Sequence, residues 1–268
     1  MITSFSNERI KNIRKLQERK YRQESGLFYV EGLRIVGEAI QQNACLEMLV
    51  SAPELLRSEF GLNLVEEQRN QGVPVLEVGE EVFRRLALKE GPQGLAAVVR
   101  QSWLPLEQVE IKRDTTWVAL DSVADPGNLG TIMRTHDAVG GQGLFLLDQS
   151  TDPYDPSAVR ASMGAIFTQR LVKASFPEFA LWKQRTQIQL IGTSGAAEVD
   201  YHTYRYPTSL VVLMGSERQG LQKHHLELCD EVVSIPMRGG GSDSLNLAVA
   251  TAVMLYEIHN QRRDRGMR

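Results

Sequence analysis

The sequence predicts an α/β protein in two parts: a larger C-terminal part built on a mostly parallel sheet flanked by helices, and a smaller N-terminal α/β domain. Three observations predict it. Short apolar runs closed by turn residues alternate with stretches of helical period along most of the chain. The last three runs, QIQLIGTS, SLVVLMGSE and EVVSIPM, are almost continuously apolar, the pattern of strands covered by helices on both faces. The length of 268 residues exceeds one typical domain of roughly 100–200. Within it, residues 101–114, QSWLPLEQVEIKRD, carry Pro105, dense charge and no period, which suits a linker. Residues 1–107 are therefore assigned to the first domain and 108–268 to the second.

Residues 6–22 are rich in helix formers, and LFYVEG, bounded by Gly26 and Gly32, is a short strand. In GLRIVGEAIQQNA the apolar Leu33, Val36, Ala39 and Ile40 recur at helical spacing up to about Asn43, and EMLVSA then reads as a buried strand. VPVLEVGE gives another strand, EEVFRRLAL a short helix, and GLAAVVRQ a strand after the Gly-Pro-Gln-Gly turn. Past the linker, TWVALDSV is a strand running into a loop, IMRTHDAVG a helix closed by Gly140 and Gly141, and GLFLLD the next strand. A helix from about Ala158 to Ala165, a strand ending in LVKAS and a helix around FPEFALWKQRT lead to the three apolar strands. SLNLAVATAVMLYEIHNQRR is the longest helix, with Leu245, Ala248, Thr251, Ala252, Leu255 and Tyr256 along one side.

Composition narrows the function. The 42% hydrophobic and 24% charged residues match ordinary globular usage, and no apolar run approaches the roughly 18–20 residues of a membrane span. MITSFSNERIKNIRK has no apolar segment after its charges, so a cytoplasmic protein is expected. Cys45 and Cys229 stand far apart with no second ligand at metal spacing; buried reduced thiols are expected, and no zinc site. A net charge of -3 argues against a uniformly basic nucleic-acid binder. The charge is uneven, however. Arg9, Lys11, Arg14, Lys15, Arg19, Lys20 and Arg22 face only Glu8 and Glu18, and Arg262, Arg263, Arg265 and Arg268 crowd the C-terminus around Asp264. Both ends can contact phosphates electrostatically, and each reads equally as a solvated helix face or tail.

Three loops carry polar groups at strand ends. In DSVADPGNLGTIMR, Pro126 and Gly127 turn sharply, Asn128 offers an amide donor and acceptor, and Arg134 follows six residues on, toward the edge of the sheet where ligands bind in open α/β folds. An ordinary strand-to-helix turn with an exposed arginine explains the same residues. In LMGSERQGL a strand ends at Gly215 and Ser216 with the Glu217 carboxylate beyond it; Ser216 also reads as a helix N-cap. In SIPMRGGGSDSLNLAVA three glycines precede Ser244 and Asn246 at the start of the long helix, and Ser244 likewise reads as an N-cap. No lysine follows as a phosphate-binding GK[ST] loop requires, and no GxGxxG follows a strand, so nucleoside triphosphates and dinucleotides are disfavoured.

Taken together, Asn128 and Arg134 in DPGNLGTIMR, Glu217 in MGSERQGL, and Ser244 and Asn246 in IPMRGGGSDSLNLAVA resemble, in order, spacing and flanks, the three motifs of the SpoU-type, or TrmH-like, RNA 2′-O-ribose methyltransferases. The resemblance covers residues 115–258. FYVEGLRIVGEAI and GPQGLAAVV resemble the N-terminal RNA-binding domain that many members carry, a fold related to certain ribosomal proteins. The third motif departs from the pattern in the glycine-rich length of RGGGSDSLN, which leaves the path of residues 239–243 open.

The resemblance implies a deep trefoil knot, against the general rule that chains do not thread loops. It implies a homodimer and S-adenosylmethionine as cofactor, held by the backbone around Thr193 and Gly195, Leu213 to Gly215, Ile235 and Met237, and Ser244 and Leu245. Apolar loops with glycine suit an adenine ring. Methyl transfer is an in-line displacement on an already activated carbon, so orientation and loss of the hydroxyl proton are what the protein supplies, with no metal. The catalytic set implied is Asn128, Arg134, Glu217, Ser244 and Asn246. An arginine is a poor base, so Arg134 either is activated by a neighbouring phosphate or carboxylate, or holds an RNA phosphate while the hydroxyl ionises into water. Glu217 positions Arg134 or Asn128 by a charge-assisted hydrogen bond. Ribosomal RNA is the favoured substrate because of the extra N-terminal domain. Transfer RNA, a non-catalytic RNA- or ribosome-binding role, and base methylation using Asp121 or Asp243 are the alternatives.

Overall fold

Asn7 starts the first helix, α1 (Glu8–Lys15), its side chain accepting from the Arg9 N–H at 2.9 Å, and Ile10 and Ile13 are the buried residues of α1. After a break at residues 16–18 comes α2 (Arg19–Ser25), ended by Gly26 at φ 66°. The expected strand and helix follow as β1 (Leu27–Glu31) and α3 (Leu33–Gln41), then β2 (Leu46–Ser51). Next is a helix that the sequence reading lacks, α4 (Glu59–Asn70). Its inner face is Gly61, Leu64, Val65 and Gln68, the correct helical spacing, but two of those four carry no hydrophobic signal. β3 (Val75–Glu77), α5 (Glu80–Leu86) and β4 (Leu95–Arg100) complete a four-stranded sheet in the order β1-β4-β2-β3. β4 runs antiparallel to both β1 and β2, and β3 pairs parallel with β2. Tyr29, Val50, Val82, Phe83 and Val98 belong to the core that takes in Ile10 and Ile13. Gly94, at φ +77°, lies where a Cβ would stand 2.6 Å from the Leu56 nitrogen, which accounts for the glycine in that turn.

This structure is a computed structural model describing residues 1–88, 90–239 and 244–266. It divides into two compact units, one of Met1–Gln101 with Asp152–Thr168, the other of Ser102–Thr151 with Gln169–Arg268. The second begins with β5 (Thr116–Asp121), α6 (Pro126–Ala138) and β6 (Gly143–Leu147); α7 (Pro156–Ser162) belongs to the first unit. β7 (Arg170–Ala174), α8 (Phe176–Thr186), β8 (Gln189–Thr193), β9 (Val199–Asp200), β10 (Leu210–Met214), α9 (Lys223–Leu228), β11 (Glu231–Ser234) and α10 (Leu247–Asp264) follow. The seven strands pair in the order β7-β6-β5-β10-β8-β11-β9, every pair parallel. β5, β6 and β10 are buried at every position. Trp117, Phe145, Phe179, Trp182, Val211 and Leu213 share one core, and α10 packs against α6. β9 and α9 have no counterpart in the sequence reading, since two and six residues are too few to show a period.

Residues 152–168 stand with the N-terminal sheet because of specific contacts. Phe28 of β1 packs on Tyr154 with ring centroids 4.6 Å apart. Arg22, 1% exposed, sets its Nε 2.8 Å from Asp152 and an Nη 3.4 Å from Asp155, and donates to the Leu16 and Gln17 carbonyls. This corrects its grouping with the RNA-contacting cations: the guanidinium is buried and fully committed to the protein. Cys45 is exposed, contrary to the buried thiol expected. Cys229 is half-buried, and burial pushes its thiol up to about 12. At the C-terminus, Arg262 donates to the Thr115 and Thr208 carbonyls and Arg265 to that of Tyr206, so neither is a free phosphate contact. No helix among the described residues is long and apolar enough to cross a membrane.

Candidate active site

From β5 the chain lays β6 and β7 on one side, then returns to put β10, β8 and β11 on the other, with β10 directly against β5. The strand order thus reverses between β5 and β10, and the crevice beyond the carboxyl ends of strands at such a reversal is where open α/β sheets bind ligands. All three polar loops leave strands at that edge.

The loop after β5 enters α6 through Asp125, whose carboxylate accepts from the Asn128 N–H at 2.7 Å, while Pro126 fills a first-turn position where a missing N–H costs nothing. The helix therefore starts two residues before Asn128. After β10, Gly215 passes so close to Gly220 that a Cβ would collide with its carbonyl carbon, which only glycine allows. The turn is closed by the Gly220 N–H donating to the Ser216 carbonyl at 2.9 Å. No helix begins at Ser216, so its N-cap reading fails; its hydroxyl accepts from the Gln219 N–H within the turn. Glu217 reaches across to the first loop and accepts from the Ala124 N–H (3.2 Å), the Asp125 N–H (3.4 Å) and the Asn128 amide (3.3 Å). Burial pushes the Glu217 carboxyl up, but hydrogen bonds from its own N–H and from Ala124, Asn128 and Asp125 outweigh burial and hold it below the usual carboxylate range. The group whose folded pKa is depressed adds stability above its unfolded pKa and loses it only as pH falls through the lowered value. Glu217 is thus ionised at neutral pH.

After β11, Asn246, and not Ser244, is the N-cap of α10, accepting from the Ala248 and Val249 N–H groups at 2.9 and 3.3 Å. Its amide donates to the Asn128 side-chain oxygen at 3.0 Å. Asn128 is therefore gripped on both ends of its amide, by Glu217 and Asn246, and three segments about 90 and 120 residues apart meet on one side chain.

Beside this network lies a cleft of about 420 Å³. Thr193, Gly195 and Gly215 line it from the ends of β8 and β10; Ile235, Met237, Ser244 and Leu245 line it from the loop before α10. Leu213 does not line it, because its side chain sits in the core of the sheet. The glycine-rich loop lies outside the described residues at 240–243. Sequence reasoning missed Ser194, Arg218, Gly220, Leu247 and Ala250 among the lining residues, and also Asp125, for which Asp-Pro before an apolar helical run is a legible N-cap signal. Arg134 is exposed, lies six residues beyond Asn128, about 9 Å along the helix, and makes no hydrogen bond or ion pair with another described residue. Glu217 therefore positions Asn128, of the two partners expected for it.

The cleft fits S-adenosylmethionine. Met237 and Leu245 leave large apolar side chains 42% and 36% exposed at its wall, and the Cβ direction of Gly195 opens onto space with nothing within 4 Å. Serine and threonine hydroxyls and strand-end backbone groups supply the few polar contacts that such a ligand needs.

A wholly parallel sheet with an apolar, glycine-lined cleft at its switch point, rimmed by a satisfied carboxylate–amide network, defines an α/β protein that binds a nucleoside-like ligand. Residues 115–256 match the SpoU rRNA Methylase family, and residues 7–97 match the MRM3-like substrate binding domain. The chain belongs to the SpoU rRNA Methylase family. It is 31% identical to the 23S rRNA (uridine(2479)-2′-O)-methyltransferase of Streptomyces viridochromogenes, over 92% of this chain and 87% of that protein. It is 28% identical to the 23S rRNA (guanosine(2553)-2′-O)-methyltransferase RlmP of Bacillus subtilis, over 96% and 98%. Among solved structures, the AdoMet-bound rRNA methyltransferase from Sinorhizobium meliloti superposes with a TM-score of 0.88 at 37% identity, covering 98% of this chain and 97% of that one.

Proposed function

We propose that this chain is an S-adenosylmethionine-dependent methyltransferase acting on a ribose 2′-hydroxyl of ribosomal RNA in the cytoplasm. The observation that carries the reading is the Glu217–Asn128–Asn246 network at the rim of the cleft, which joins the three family motifs through one amide. When bound, the cofactor supplies an electrophilic methyl carbon. The protein's part is to hold the hydroxyl in line with it and to ease departure of the proton. With its amide nitrogen donating to Glu217 and its oxygen accepting from Asn246, Asn128 keeps one further N–H and one further lone pair for a ribose hydroxyl, in a fixed orientation. Ser244 adds a second contact, a hydroxyl, on the cleft wall. Arg134, cationic and unpaired among the described residues, holds the phosphate next to the target ribose and stabilises the developing alkoxide. Mass-spectrometric mapping of ribose methylation in total RNA tests the reading: one 2′-O-methyl nucleotide of large-subunit RNA is expected to vanish from cells lacking the protein. Unchanged rRNA with a lost methyl in transfer RNA would redirect the substrate, and no lost methyl at all would favour a non-catalytic RNA-binding role.

Substrate RNA meets the N-terminal cations that face solvent. Arg9, Lys11, Arg14, Lys15, Arg19 and Lys20 are all exposed, and the guanidinium groups of Arg9, Arg14 and Arg19 pair with no described residue. Replacing those three arginines by glutamine is expected to lower rRNA affinity and flatten its dependence on salt by up to about three phosphate contacts' worth of slope, with S-adenosylmethionine affinity unchanged. Equal slopes for the two proteins would reduce the run to a solvated helix. Homodimerisation through the exposed Val249 and Tyr256 of α10 is also proposed; light scattering at micromolar concentration then reads twice 30.0 kDa.

A further inference from the structure

We propose that Arg218 recognises the carboxylate at the amino-acid end of the cofactor, an assignment that rests on reading this cleft as the S-adenosylmethionine site. Arg218 is exposed, lines the cleft, and makes no hydrogen bond or ion pair with any described residue. Its backbone is nonetheless held. The preceding Glu217 is tied to the loop after β5 by three donors, and the turn is closed on the other side by the Ser216–Gly220 hydrogen bond and the Gln219 N–H on the Ser216 hydroxyl. A cation is therefore presented at the cleft by a fixed turn, and it is the one cation among the described lining residues.

The charges of the ligand decide what it meets there. S-adenosylmethionine carries positive charge on its sulfonium and its ammonium, and negative charge only on its carboxylate. Among the described lining residues Glu217 is the other charged one, and its oxygens are already occupied. A guanidinium facing two positive groups is repulsive unless the carboxylate comes to it, and the planar fork of arginine matches a carboxylate in two parallel bonds. Arg218 in this way selects for an intact amino-acid end as well as binding it.

Calorimetric titration of the full chain with S-adenosylhomocysteine, and with its decarboxylated analogue that keeps the ammonium, separates these effects. Arg218→Gln is expected to weaken S-adenosylhomocysteine about tenfold and to leave the decarboxylated analogue unchanged or bound more tightly. Arg218→Lys, with charge but no fork, is expected between the two. The melting temperature should not move, since Arg218 holds no described residue. Undiminished affinity of Arg218→Gln for S-adenosylhomocysteine overturns the proposal; a raised KM for rRNA in that case puts the guanidinium on an RNA phosphate. Equal losses for both ligands overturn it too, as a general disturbance of the cleft. Failure of the unaltered chain to bind S-adenosylhomocysteine at all overturns the reading of the cleft, and this proposal with it, a result distinct from any failure of Arg218 alone.

Discussion

Arg134→Ala is expected to retain the melting temperature and the S-adenosylmethionine affinity while losing methyl transfer by at least two orders of magnitude. The side chain is exposed on α6 and pairs with nothing described, so its removal costs no packing and no ion pair, and alanine is the strongest helix former. On the proposed role, what is lost is the interaction with the phosphate and the developing alkoxide. A hundredfold loss corresponds to about 2.7 kcal/mol of barrier, within the range of one preorganised charged donor. The alkoxide part of the effect should lower kcat and kcat/KM together, because that interaction strengthens as the hydroxyl gives up its proton, and loss of the phosphate contact should raise the KM for rRNA. Arg134→Lys separates charge from geometry: near-complete inactivity would show that the planar fork matters more than the positive charge. The readout is tritium transferred from labelled cofactor into rRNA at saturating cofactor. Substantial transfer by Arg134→Ala would remove Arg134 from the reaction and shift its role to Asn128 and Ser244.

The site loops were legible in the sequence because they lie at strand ends, where the chain is punctuated by Pro126, Gly215 and the glycines before Ser244, and the reaction class came with the family resemblance that those loops carry. Strands buried on both faces were legible for the same reason, since β5, β6 and β10 have no solvent side to dilute the apolar run. Partnership was not. Glu217 chooses Asn128 over Arg134, and Asn246 grips Asn128 from 118 positions away, through the order in which the strands lie side by side, which no local period encodes. Caps were misread where two candidates stood close together: Ser244 and Asn246 both suit a helix start, and only the backbone decides that Asn246 is the residue in the capping geometry. Arg22 is the clearest case. Beside six exposed cations its charge looks like one more phosphate contact, and nothing in its neighbours announces burial.

Arg22→Ala should consequently damage stability where the other N-terminal substitutions do not. The guanidinium is the common partner of Asp152 and Asp155 and of the Leu16 and Gln17 carbonyls. Asp152 and Asp155 also organise the chain locally, the first accepting from the Tyr154 N–H and the second capping α7 at the Ser157 N–H, both at 2.9 Å. Deleting the arginine leaves the Asp152 side chain, 9% exposed, as an uncompensated buried carboxylate. Breaking a buried pair from one side typically costs about 3–5 kcal/mol, far more than the pair's net worth against an apolar replacement. For a unit of this size that corresponds to a fall in Tm on the order of 10 °C. The double variant Arg22→Met with Asp152→Asn removes the buried charge together with its partner and should recover part of the loss, which a mere packing defect would not do. Thermal unfolding followed by circular dichroism measures all three proteins. A Tm for Arg22→Ala equal to that of the unaltered chain would mean that Asp152 regains water without cost, and would return Arg22 to the set of residues available to RNA.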